Sequence, residues 1–173
     1  FREKRMRLLI SGGGTGGHVY PALVVSGELR KRADAECLYV GRAESIEARL
    51  AQRAQIPFRA IQVGGIRGLM PWTAARNLWR LFRSIRHARV IIRDFKPNAI
   101  FVTGGYVSAP VIWAGAAEKI PSVIYLPDLE PGWAIRATAR WATRIAISFP
   151  EVAQHFAAGK AIVTGYPVRA EFF

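Results

Sequence analysis

The feature that most limits what this chain can become is a pair of glycine-rich turns, Ser11-Gly-Gly-Gly-Thr-Gly-Gly-His18 and Thr103-Gly-Gly-Tyr-Val-Ser-Ala-Pro110. Each follows a short apolar run, Arg7-Leu-Leu-Ile10 or Ala99-Ile-Phe-Val102, that reads as a strand, and each opens a small-residue stretch of helical character. A glycine-lined passage from strand to helix leaves backbone N–H groups unpaired, with the positive end of the helix dipole behind them. One such turn predicts an anion site. Two predict a ligand with a diphosphate, or two ligands meeting in one cleft.

Strand-like runs at 7–11, 36–41, 58–63, 98–103, 121–126, 143–148 and 160–164 alternate with helical patterns at 17–32, 44–54, 73–94, 107–118, 132–141 and 150–157. The alternation predicts an α/β fold, a Rossmann-like doubly wound parallel sheet with helices on both faces. Several runs are continuously apolar, as strands covered on both sides should be. No repeat or internal linker interrupts the pattern, so 6–173 reads as one domain and 1–5 as an extension ahead of it. In the common strand order the fourth strand lies beside the first, which brings the two turns to one rim of the sheet.

The single cysteine, Cys37, sits in an apolar run, so no disulfide framework exists and a reducing compartment is expected. Met6-Arg-Leu-Leu-Ile10 is too short for a secretory leader, and no run approaches the roughly 18 to 20 apolar residues of a membrane span. The expectation is a cytosolic protein, or one lying on a membrane without crossing it. The formal charge of +13 calls for an anionic partner: nucleic acid, lipid headgroups or phosphorylated substrates.

The distribution of charge narrows that choice. Residues 66–96 carry Arg67, Arg76, Arg80, Arg83, Arg86, Arg89, Arg93 and Lys96, with Asp94 as the only acid. At about 100° per residue, Leu78, Leu81, Ile85, Ala88, Ile92 and Phe95 gather on one face, the expected core face. Trp79 falls among Arg76, Arg83 and Arg86 on the other side, Trp72 projects with it, and Leu69 and Met70 precede the helix. Tryptophan within an arginine field suits a bilayer interface, where the ring sits at headgroup depth. These residues are therefore the candidate membrane-docking surface; a solvated basic face is the plainer alternative. Nucleic acid is not expected, because no recognised binding module or stacking motif appears.

Gly12-x-Gly14-x-x-Gly17 also matches the dinucleotide fingerprint, which keeps a nicotinamide or flavin oxidoreductase open. That reading expects an acid at the end of the second strand; Val40-Gly-Arg42 has none, Glu44 comes later, and Arg42 is the residue that could meet a 2′-phosphate. A non-catalytic binding domain is open too. His18 closes the first turn, and histidine as a residue type exchanges protons near neutral pH, so it is a candidate general base. Gly13, Gly14, Thr15, Gly16, Gly17, Gly104, Gly105, Tyr106 and Ser108 are candidate diphosphate- and sugar-binding residues. Asp128 and Glu130 follow the fifth strand at the same rim, where they could bind hydroxyls, deprotonate one or cap a helix; two acids are weak grounds for a metal. His87 and His155 read as surface residues.

Four segments, Gly13-Gly-Thr-Gly-Gly-His-Val-Tyr-Pro21, Gly65-Ile-Arg-Gly68, Gly104-Gly-Tyr-Val-Ser-Ala-Pro110 and Gly165-Tyr-Pro-Val-Arg169, resemble in order and spacing the amino-terminal half of the MurG family. The resemblance implies half of a GT-B fold, the acceptor-binding domain, with a carboxy-terminal domain supplying most contacts to UDP-N-acetylglucosamine. The implied reaction is inverting transfer of N-acetylglucosamine to the C4 hydroxyl of lipid I, the undecaprenyl-diphosphate-linked muramoyl peptide, giving lipid II. It also implies no metal or other cofactor, a peripheral position on the cytoplasmic face of the bacterial membrane with anionic lipids as partners, and His18 in the family's loop-histidine position. Arg169 would edge the donor cleft. Two departures stand out: Tyr125-Leu-Pro-Asp128 replaces the usual His-Glu-Gln-Asn, and Tyr166 replaces an asparagine. They leave open a related lipid or lipid-diphosphate acceptor, and Asp128 as an alternative base.

Overall fold

The computed structural model describes residues 5–63 and 71–167, residues 71–75 by backbone only. The expected features at 1–4, Gly65–Gly68, Leu69, Met70 and Arg169, and the side chain of Trp72, lie outside the described residues. Seven strands form one sheet: β1 (Met6–Ser11), β2 (Ala35–Gly41), β3 (Phe58–Ala60), β4 (Ala99–Val102), β5 (Ser122–Leu126), β6 (Arg144–Ile147) and β7 (Ala161–Val163). Every pairing is parallel and the order is β3-β2-β1-β4-β5-β6-β7. Strand order reverses between β1 and β4, and their carboxyl ends carry the two glycine turns.

The helices are α1 (Gly16–Arg32), α2 (Ile46–Arg53), α3 (Pro71–Phe95), α4 (Ser108–Ala117) and α5 (Trp133–Thr138), with a 3-10 helix over Pro150–His155. Period-two alternation splits the strand side chains between two cores. Leu8, Ile10, Cys37, Tyr39, Phe101 and Tyr125 pack towards Val19 and Ala22 of α1 and Ala51 of α2. Leu9, Leu38, Val40, Ile100, Val102 and Ile124 pack towards Ala88, Ile91 and Ile92 of α3 and Val111, Ile112 and Ala114 of α4. Both faces are therefore covered, which is why these strands are apolar throughout.

One expected core assignment is corrected. Leu78 is 56% exposed, whereas the buried stripe of α3 runs through Ser84, Ala88, Ile91 and Ile92. On the helical wheel Leu78 lies about a quarter turn from the centre of that stripe. Ser84, a polar member of the stripe, is satisfied by donating to the carbonyls of Arg80 and Gln62. His87 and His155 are exposed, as expected.

Candidate functional site

The two glycine turns touch. Gly13 N–H donates to the Gly104 carbonyl at 3.3 Å, and a Cβ on Gly105 would stand 2.2 Å from the Gly13 carbonyl oxygen. Beneath them the Tyr39 hydroxyl donates to the Gly12 carbonyl at 2.7 Å. Burial, with a smaller push from Glu47, drives the Tyr39 phenol well above its ordinary value, so it stays a neutral donor. The Thr103 hydroxyl closes the base by donating to the His18 carbonyl.

Packing this tight turns some expected ligand groups inward. The Gly13 amide is taken by Gly104, and Ser108 is buried with its hydroxyl donating to the Gly104 carbonyl at 2.5 Å. Buried backbone carbonyls need donors, and these are the nearest ones. By contrast the amides of Gly14, Thr15, Gly16 and Gly17 have no acceptor among the described residues, and Gly14 and Thr15 are exposed at the start of α1. The unpaired donors of the first turn are therefore those four N–H groups, at the positive end of the dipole of a 17-residue helix.

His18 is half-buried between the turns, its ring against Gly104. Its Nδ1 meets the Thr15 hydroxyl at 3.0 Å, which orients the ring and leaves Nε2 without a hydrogen-bond partner among the described residues. A cavity of about 320 Å³ brings His18 together with Gly105, Tyr106, Asp128, Glu130 and Trp133. Asp128 has no ion pair among the described residues, whereas Glu130 is held by Arg136 at 2.9 Å. Gly132, not Asp128, caps α5. Of the roles open to Asp128, capping is thus removed, and its carboxylate, without an ion pair among the described residues, shares the cavity of the histidine.

Two residues of this rim escaped the sequence reading. Trp133 stands half-exposed with its ring centroid 6.3 Å from that of Tyr106, making an aromatic wall to the cavity. Its only signal was its place directly after Pro131-Gly132. Glu47 is completely buried under the first turn, and its Oε1 accepts from Arg42 N and Nε at 3.3 Å each. A side chain on Gly13 or Gly41 would collide with it. Its other oxygen, Oε2, has no hydrogen-bond partner among the described residues. A carboxylate reaching back from the first turn of α2 gives no signal at the strand end, where the dinucleotide reading looks for it; being enclosed and engaged with Arg42, it does not present itself to a ribose.

On α3, Trp79 and Phe82 are 61% and 64% exposed beside Leu78, with Arg76, Arg80, Arg83 and Arg86 exposed around them. The Arg83 guanidinium lies 5.5 Å from the Trp79 ring centroid. Among the described residues no helix is long and apolar enough to cross a membrane.

Comparisons with known proteins bear on this geometry. Residues 8–147 match the model of the glycosyltransferase family 28 N-terminal domain. The UDP-N-acetylglucosamine–N-acetylmuramyl-(pentapeptide) pyrophosphoryl-undecaprenol N-acetylglucosamine transferases of Bacillus pumilus and Listeria monocytogenes are 36% and 40% identical over 167 residues. Each alignment takes in 96% of this chain and 46% of the relative, so the chain spans about half the length of the curated relatives it matches. The crystal structure of Acinetobacter baumannii MurG superposes with a TM-score of 0.80 at 25% identity, over 96% of this chain and 46% of that one. A UDP-GlcNAc 2-epimerase from Neisseria meningitidis, TM-score 0.67 at 16% identity over 94% of this chain and 47% of its own, shares the fold.

Proposed function

Because the chain belongs to the glycosyltransferase family 28 N-terminal domain family, we propose that it is the acceptor-binding, membrane-docking half of an inverting N-acetylglucosaminyltransferase of peptidoglycan synthesis. The reaction moves N-acetylglucosamine from UDP-N-acetylglucosamine to lipid I, the undecaprenyl-diphosphate-linked muramoyl peptide, to form lipid II. Most donor contacts then fall to the carboxy-terminal half that the relatives carry.

The observation that carries this reading is the joining of the two turns into one rim, with four free amides on one side and His18 in a cavity with Asp128 on the other. Free N–H groups at a helix start suit a diphosphate. The cavity suits a sugar: an aromatic wall for its C–H face and carboxylates for its hydroxyls. Inverting transfer requires the attacking hydroxyl to lose its proton as the bond to the anomeric carbon forms and UDP departs. His18 accepts that proton at Nε2 while its Nδ1–H donates to Thr15. The exposed Trp79, Leu78 and Phe82, ringed by arginines, support docking at the cytoplasmic leaflet, with the polyprenyl tail staying in the bilayer. Anionic lipids supply the counter-charge.

Joined to that second half, the protein is expected to transfer radiolabelled N-acetylglucosamine to lipid I. His18→Ala should lower kcat by about 10² to 10⁴, the usual worth of a positioned base, while Asp128→Asn stays within a few-fold. The reverse pattern moves the base to Asp128, and loss in neither variant removes both. Tight binding of a nicotinamide dinucleotide with no transfer would instead restore the oxidoreductase reading.

A further inference from the structure

β7 is an edge strand, yet the chain leaving it turns inward. The Thr164 amide donates to the Ile147 carbonyl at 2.9 Å, one residue beyond the strand, and Gly165 then turns with φ of +73°. Nothing lies within 4 Å of the Gly165 Cβ position, so glycine serves the left-handed turn there and not a close approach. The turn brings the Tyr166 ring to Tyr125 of β5, centroids 6.4 Å apart at 66°. Because β6 lies between β5 and β7, residues 164–167 fold back across the end of β6 towards the middle of the rim.

Tyr125 is placed to receive this segment. It is 2% exposed, and its ring stacks on Phe101 of β4 with centroids 6.5 Å apart. Its hydroxyl meets Ser148, just past β6, at 2.8 Å and donates to the Gly165 carbonyl at 3.4 Å. One aromatic row therefore runs from β4 through β5 to the outgoing segment, each ring oriented by the next. Phe101 lies two residues before Thr103, whose hydroxyl holds the His18 carbonyl, and Tyr125 lies three residues before Asp128. Tyr125 is too deeply enclosed to touch a substrate, and Tyr166 is not among the residues that wall the cavity of His18. We propose that Tyr125 and Tyr166 are positioning residues: they anchor residues 164–167 on the rim, so that the donor-binding half is held over His18. This rests on the transferase reading above, in which that half follows this one. A tether with a fixed root presents what it carries at a higher effective concentration than one that pivots. Reacting groups displaced by about an ångström lose rate steeply.

The test uses the protein joined to its second half, with Tyr166→Ala and Tyr166→Phe as variants. Tyr166 is 52% exposed, so both should fold, and thermal unfolding checks this. Hydrogen exchange of the Thr164 amide, read by mass spectrometry, reports the anchor; steady-state transfer to lipid I reports its effect. Tyr166→Ala should speed that exchange about three- to ten-fold. It should lower kcat about ten-fold and leave KM for UDP-N-acetylglucosamine and for lipid I within about two-fold. Tyr166→Phe, which keeps the ring, should behave as the unsubstituted protein in both measurements. Unchanged exchange in Tyr166→Ala, or equal impairment of the two variants, would overturn the anchor. Faster exchange with kcat intact would overturn the positioning role, whether or not a KM rises. Faster exchange in Tyr166→Ala with no transfer by the unsubstituted protein would sink the transferase reading and leave the anchor standing.

Discussion

At the scale of single residues, two glycines of the site make opposite demands. Gly105 has φ of +80° and its missing Cβ would stand almost on the Gly13 carbonyl, so Gly105→Ala must push the turns apart. We expect it to cost at least about 3 kcal/mol, from left-handed strain and overpacking together. Gly14 has φ of +95° with nothing within 4 Å of its Cβ position. Gly14→Ala should cost only the strain, about 1 to 2 kcal/mol, yet under the proposed function it should weaken pyrophosphate binding, because its methyl would stand in the space assigned to the diphosphate. Urea unfolding with pyrophosphate titration separates the two cases. The family departures also resolve at this scale. Tyr125 and Tyr166 are in edge contact, centroids 6.4 Å apart, and the Tyr125 hydroxyl meets Ser148 at 2.8 Å. Burial raises the Tyr125 phenol, an effect the Ser148 bond partly offsets. Two substitutions that looked independent along the chain are one aromatic contact in space. No spacing rule reveals such a pairing; the residue types were legible and their meeting was not.

At the scale of elements, the strands were readable as short, continuously apolar runs, and α2 and α3 by their amphipathic period. β1, β2, β4, β5 and β6 alternate cleanly between two cores, and the glycine turns mark where two of them stop. The misreading of Leu78 on α3 came from extending the core stripe into a part of the helix where that side chain finds no cover among the described residues. Where α3 does pack, it is tied to α4 through Glu118 at the α4 terminus, which pairs with Arg89 at 2.6 Å and Arg93 at 3.0 Å. Hydrogen bonds from Arg93 and then Arg89 hold the Glu118 carboxyl below its ordinary value of 4.5. A depressed folded-state value means the tie contributes fully above the unfolded value and is lost as pH falls through the folded one. Glu118→Gln should therefore lower Tm at pH 7, and the two proteins should converge in acid below that depressed value. A difference that persisted there would show that the tie is not electrostatic.

At the scale of the whole molecule, the order β3-β2-β1-β4-β5-β6-β7 builds the candidate site, because it makes neighbours of turns some ninety residues apart in sequence. Sequence reasoning reached only the neighbouring of the first and fourth strands, from the common doubly wound order and the handedness of its crossovers, and not through any residue. The inward orientation of the Gly13 amide and the Ser108 hydroxyl depends on sub-ångström packing and had no signal. The charge of +13 attracts the molecule to anionic surfaces in general, and the aromatic face of α3 gives that attraction a direction. Trp79→Ala with Phe82→Ala should reduce co-sedimentation with phosphatidylglycerol vesicles by about ten-fold or more, from lost apolar burial. The residual binding of that variant should fall more steeply with salt than that of the unsubstituted protein. Undiminished binding would remove α3 as the docking element.

The bond from the Gly13 amide to the Gly104 carbonyl has one further consequence. Two fingers clasped at the knuckle cannot be bent separately, so a side chain or ligand that displaces one loop drags the other with it. Substitutions in the two fingers should therefore be coupled, their combined effect departing from the sum of the single ones.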